Sequence, residues 1–164
     1  HKVESPISRL GMGLATLDDM SEEILGVLAL CEDLHDDTDG AFDALGVPAP
    51  NGSHLEPSGV VKGWSVERAA EILESHGLLN FCVNAGGDIA LRGEIRPGEP
   101  WRVGIRHPDL PDMSAAVLHG SGRLAIATSA TYERGAHIID PATQEPTADL
   151  ASVTIVGPDL THIG

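Results

Sequence analysis

Three polar interruptions in otherwise apolar sequence hold the residues best able to act on a ligand. In ATSATYERGAHIIDPAT, Ala127 to Thr143, His137 stands three residues before Asp140, and Thr128 and Ser129 lie just upstream. An imidazole with its ordinary pKa of ~6.5 accepts a hydroxyl proton at neutral pH. Spacing alone, however, favours His137 as a structural residue of a strand. In NAGGD, Asn84 to Asp88, the adjacent Gly86 and Gly87 admit positive φ and let a ligand approach the backbone closely. There Asp88 either accepts ligand hydroxyls or caps a glycine hairpin. In PSGVVKGW, Ser58, Gly59 and Gly63 surround Lys62 just before a helix, and exposed amides beside a lysine suit a phosphate. This is not a P-loop, because Gly63 rather than Ser or Thr follows the lysine. Taken alone it reads first as a turn leading into a helix and only second as an anion site.

The elements that would carry these segments follow from periodicity. Ile24, Val27, Leu28, Cys31 and Leu34 form one apolar stripe over residues 21–38, which predicts an amphipathic helix. Asp19, three residues before Glu22, predicts a capping box at its start, and Asp39-Gly40 ends it. LGVPAPNGSHLEPSG reads as a surface loop. A second helix is expected from Lys62, with Val66, Ala69, Ala70 and Leu73 on one face and His76-Gly77 as its stop. Beyond Leu78 the texture is β. LNFCVNAGGDIALRG predicts two strands around a tight turn, and WRVGI alternates with period two. AAVLHG, RLAIATS, HIID and SVTIVG are further strands. Two helices followed by a meander of short strands make an α+β domain.

Composition narrows the function classes. A chain of 164 residues fits one domain, 1–164, able to bury roughly two-thirds of its unfolded surface. With 41% hydrophobic residues and mean hydropathy near zero, it reads as globular. No apolar run approaches the ~18 residues of a membrane span, and no signal segment is visible, which leaves the compartment open between cytoplasmic and exported or membrane-anchored. A formal net charge of −15 argues against nucleic acid and anionic lipid as partners. The two cysteines, Cys31 and Cys82, lie in apolar segments without CxxC spacing and are expected as buried free thiols. The eight histidines show no HExxH and no close pair on one helix face, so the spacing supports no transition-metal site.

Taken in order, SGVVKGWSVERAAEIL, VNAGGDIALRG, WRVGIRHP, ATSATYERGAHIIDPAT and SVTIVGP resemble the ApbE family of FAD:protein FMN transferases. SPISRL and DGAFDA extend the resemblance over nearly the whole chain. It implies an ApbE-like, T-fold-related α+β domain with two main helices packed on antiparallel strands. It also implies FAD as donor substrate, Mg²⁺ as cofactor, and transfer of FMN to a Thr or Ser hydroxyl of an acceptor flavoprotein, with AMP leaving. Alternatives are hydrolysis of FAD to FMN and AMP, or a non-catalytic FAD- or FMN-binding module.

Residue by residue, the resemblance implies that His137 is the base and that Ser58, Gly59 and Lys62 approach the pyrophosphate. The Gly59 carbonyl would be a metal ligand, Gly86, Gly87 and Asp88 would line the nucleotide, and Thr128 and Ser129 would border the same pocket. It further implies an N-terminal strand ahead of His1 and an Asp/Thr metal-ligand segment after Gly164, neither within these residues. A cation makes physical sense, since a second negative charge ~4 Å away costs roughly 4 kcal/mol at an effective dielectric of 20. Lys62 and Arg134 would be a thin counterweight in so acidic a chain.

Overall fold

The computed structural model describes residues 2–46, 49, 51–130, 139–140, 143, 145–147 and 150–163. The chain divides into two compact units: His1–Val61 with Ala136–Thr147, and Lys62–Gly135 with Ala148–Gly164.

In the first unit, helix α1 (Pro6–Gly11) starts at Ser5, whose hydroxyl accepts the Ser8 N–H, with Pro6 in the first turn. A 3₁₀ turn at Leu17–Asp19 precedes helix α2 (Glu22–Asp37). The expected stripe of α2 is its inner face, with Val27 and Cys31 buried. The capping box is not where spacing placed it. The Asp19 carboxylate takes the Thr16 N–H at 2.8 Å, and the cap of α2 is Ser21, whose hydroxyl accepts the Ile24 N–H. A serine one residue before the first helical turn out-competes an aspartate three back, because only it reaches the orphan amides. Asp39 and Gly40, at φ of 51° and 80°, end the helix as expected.

The segment read as a surface loop is partly interior. Ser53 is fully buried and Leu55 nearly so, and the Ser53 hydroxyl bridges the Leu55 N–H and C=O, each at 3.1 Å. His54 donates its N–H to the Gly11 carbonyl, which ties this stretch to α1.

Helix α3 (Ser58–Ser75) begins four residues before Lys62, so Gly59 and Lys62 lie inside its first turns rather than in a turn ahead of it. Pro57 explains the earlier start. Its fixed φ suits a helix entrance, and its carbonyl accepts the N–H groups of both Val60 and Val61. The helix crosses the division between the units, and its stop at Gly77 (φ 81°) is as expected.

In the second unit, strands β1 (Phe81–Ala85), β2 (Asp88–Arg92), β5 (Leu124–Ala130) and β6 (Ser152–Gly157) form an antiparallel sheet in the order β1-β2-β5-β6. Among the described residues, strands β3 (Trp101–Arg106) and β4 (Ser114–Gly120) pair only with each other. The strands are therefore not a plain meander, because the β3–β4 hairpin is inserted between two neighbours of the main sheet. Burial on both faces explains this arrangement. Ala90, Ala125 and Ala127 pack with Val66 and Ala70 of α3, while Ile89, Leu91 and Ile126 pack with Trp101, Val103 and Leu118 of the hairpin. On β2 and β5 small residues face the helix and large ones face the hairpin, at period two, while Phe81 of β1 joins the helix side. Of the predicted HIID strand, only Ile139 and Asp140 are described. Ile139 makes an isolated bridge to Pro146.

Both cysteines are free, but only Cys31 is buried, while Cys82 is exposed on β1. Cys82 is exposed because β1 is an edge strand and its neighbours Phe81 and Val83 take the inner face. Burial, helped by the Glu32 charge, pushes the Cys31 thiol up to about 11, and partial desolvation of its sulfur raises Cys82 although the residue as a whole is exposed. An aromatic disulfide reagent at pH 8 should therefore label one thiol in the native protein and the second only on unfolding. Above pH 9 the unfolded chain ionises Cys31 while the folded chain keeps its proton. Stability should then fall as pH rises from 9 toward 11, and Cys31→Ala should flatten that fall. A urea-melt series across this window checks the sign.

Candidate functional site

Helix α3 runs alongside β2 in the same direction, held by charges near both ends. At its start, Lys62 Nζ lies 2.9 Å from Asp88 Oδ2 and donates to the Gly86 carbonyl at 3.1 Å. Asp88 is buried, its side chain only 6% exposed, whereas Lys62 remains one-third exposed. Farther along, Glu67 is buried against Arg92 and also meets Arg123 through the same carboxylate oxygen. The other Glu67 oxygen accepts the Leu160 N–H at 3.3 Å. Glu74 completes the cluster, 2.9 Å from Arg92 Nε and 3.3 Å from Arg123 Nη1. The sequence reading missed this cluster. Its signal was a charged residue on the apolar face of α3, since Glu67 lies between Val66 and Ala70.

Between β1 and β2 the predicted tight turn is present. Gly86 and Gly87 have φ of 60° and 93°, the two positive values that a two-residue hairpin of matching twist requires. Asn84 Oδ1 accepts the Gly87 N–H at 3.2 Å. A β-branched side chain at Gly87 would be forced into a left-handed conformation, so Gly87→Val should lower stability by about 1–2 kcal/mol in a urea melt.

Strand β5 pairs with β2 through Ile89↔Ile126, and continuing that register sets the glycine turn level with Thr128. Thr128 Oγ1 is 2.9 Å from Thr154 Oγ1 on β6, and Ser129 is exposed one residue on. The second unit thus gathers Lys62, Gly86, Gly87, Asp88 and Thr128 at one end of the sheet. Ser58 and Gly59, both exposed, lie one turn before Lys62 on the same helix. Among the first four amides of α3, Ser58 donates to Glu56 Oε1 and Val60 and Val61 donate to Pro57. The Gly59 N–H alone has no acceptor among the described residues.

His137 lies outside the described residues, as does Arg134. Among the described residues no group of three or more His, Cys, Asp or Glu could hold a metal ion. The Gly59 carbonyl would contribute one oxygen to a cation that takes six, so the described residues do not make up a magnesium site. A cavity of about 810 Å³ in the first unit is lined by Leu10, Leu25, Leu28, Cys31 and Leu55 and collects none of the predicted site residues. A smaller one of about 270 Å³ includes Ser58 beside Ser5, Ser8 and Glu56.

The ApbE family model matches residues 47–162. The FAD:protein FMN transferase of Vibrio cholerae is 38% identical over 112 residues, covering 63% of this chain and 34% of that protein. The Salmonella typhimurium protein of the same name is 32% identical over 115 residues, covering 64% and 33%. The chain thus spans about a third of the length of these curated relatives. Among solved structures, the flavin transferase ApbE from Vibrio cholerae superposes with a TM-score of 0.75 at 25% identity, over 98% of this chain and 68% of that one. The ApbE protein from Thermotoga maritima gives a TM-score of 0.81 at 24% identity, over 96% and 67%, a likeness of fold.

Proposed function

The chain belongs to the ApbE family, and on that footing we propose that it handles the flavin nucleotide in the transfer of FMN from FAD to a Thr or Ser hydroxyl of an acceptor flavoprotein, releasing AMP. In this reaction the acceptor hydroxyl oxygen forms a bond to the phosphorus of the FMN half. The bridging P–O bond to AMP breaks, AMP leaves with that electron pair, and the hydroxyl proton passes to a base. His137 is the base in this reading. A well-placed imidazole contributes a factor of roughly 10²–10⁴ to such a step.

The observation that carries the reading is the gathering at one end of the sheet of a two-glycine turn, the Thr128 hydroxyl and the Lys62–Asp88 pair, all within the matched residues. Gly86 and Gly87 have no side chain to keep a flat, polar ligand off the backbone. The exposed Gly59 amide is suited to a phosphate oxygen at a helix start. Thr128 and Ser129 offer hydroxyls along the same strand end. Magnesium comes with the family resemblance. Since the described residues supply only one oxygen for it, no step here is routed through a metal.

The test is to incubate the chain with FAD and an acceptor flavoprotein, with and without Mg²⁺, following AMP by chromatography and the acceptor by mass spectrometry. Transfer predicts AMP together with an acceptor heavier by one FMN less one water. AMP and free FMN with no change in the acceptor would make the protein a hydrolase. Bound FAD with no AMP under either condition would make it a binding module and overturn the transferase reading.

A further inference from the structure

We propose that Lys62 and Asp88 are a positioning pair, fixing the Gly86–Gly87 turn against α3, rather than two separate ligands of the flavin nucleotide. The inference rests on the flavin reading above for its ligand, but its geometry stands independently.

Lys62 Nζ has three protons to donate. One meets Asp88 Oδ2 at 2.9 Å and another the Gly86 carbonyl at 3.1 Å. Both partners belong to the turn or the residue just after it, so one side chain holds two points of the hairpin. Lys62 Cε lies 3.7 Å from where a Gly86 Cβ would stand, so the stem also lies against the turn. From the other side, Asn84 holds the Gly87 amide. A turn with two glycines at positive φ has more backbone freedom than any other, so such ties matter most there.

Charge leads to the same conclusion. Asp88 is nearly buried, and a carboxylate there without its ammonium would repel a pyrophosphate. Next to Lys62 the pair is neutral overall, so Lys62 brings no surplus positive charge to a phosphate. Its function is then to present the turn's backbone in one conformation and to cancel Asp88. Phosphate recognition falls to backbone amides.

A double-mutant cycle on FAD affinity, read by flavin fluorescence, separates the two roles. Lys62→Met and Asp88→Asn change one partly exposed and one isosteric side chain. For a positioning pair, each single variant should weaken FAD binding about tenfold. The double variant should weaken it about tenfold as well, not a hundredfold, and Lys62→Arg should restore most of the loss. In the FAD-free protein, hydrogen exchange at the Gly86 and Gly87 amides should speed up about equally in both single variants. If Lys62 instead holds phosphate directly, Asp88→Asn frees it and FAD binds as tightly as wild type or more tightly, while Lys62→Met alone weakens binding. That outcome overturns the proposal. If the wild-type protein binds no FAD, the flavin reading fails. The exchange measurement still decides the clamp, and unchanged turn amides in both variants would refute it.

Discussion

Glu67→Ala should destabilise the protein by about 3 kcal/mol, the low end of what breaking a buried ion pair costs. The substitution leaves Arg92, with a side chain only 4% exposed, facing the space its carboxylate filled, and it takes the acceptor from the buried Leu160 N–H. The loss stays at the low end because Glu74 Oε1 still holds Arg92 Nε at 2.9 Å and the Leu91 carbonyl accepts from Arg92 Nη1. Urea melts measure the effect. Glu67→Gln should cost less, since it keeps an acceptor for Leu160 and fills the same volume. Replacing Glu67 and Arg92 together by methionine should cost less than Glu67→Ala alone, because a missing charge partner is worse than a missing pair. A loss below about 0.5 kcal/mol for Glu67→Ala would mean that the cluster is not what fastens α3 to the sheet.

The second large effect is on the chemistry. If His137 takes the acceptor's proton, His137→Ala should slow FMN transfer by roughly 10²–10⁴ while leaving FAD affinity within about twofold. Rate and binding separate because a base acts on the hydroxyl in the transition state and holds no part of the nucleotide. Transfer should fall on the acid side as the imidazole becomes protonated and can no longer accept the hydroxyl proton. An unchanged transfer rate in His137→Ala would return His137 to the strand residue that its spacing alone describes.

What the sequence revealed, and what it concealed, follows from which interactions are local. The NAGGD turn was legible because two glycines between alternating apolar runs have few other uses. The α2 stripe was legible because burial at Val27 and Cys31 repeats with the helix period. The early start of α3 was not. Gly59 and Gly63 look like breaks, whereas Pro57 and its carbonyl set the entrance. Ser53 offered no pattern either, since its burial depends on a hydroxyl bridging Leu55 rather than on periodicity. At the candidate site, the residues Lys62 and Asp88 were visible as chemistry. That they bind one another was not, because a helix and a hairpin bring to 2.9 Å partners that stand 26 positions apart in the sequence.

The most direct measurement is amide hydrogen exchange of the chain with and without saturating FAD, resolved to short peptides. Exchange should slow in residues 84–89 and 126–130, with α2 unchanged. No binding, or protection confined to α2 and the cavity beside it, would contradict the placement of the flavin nucleotide at the glycine-turn end of the sheet.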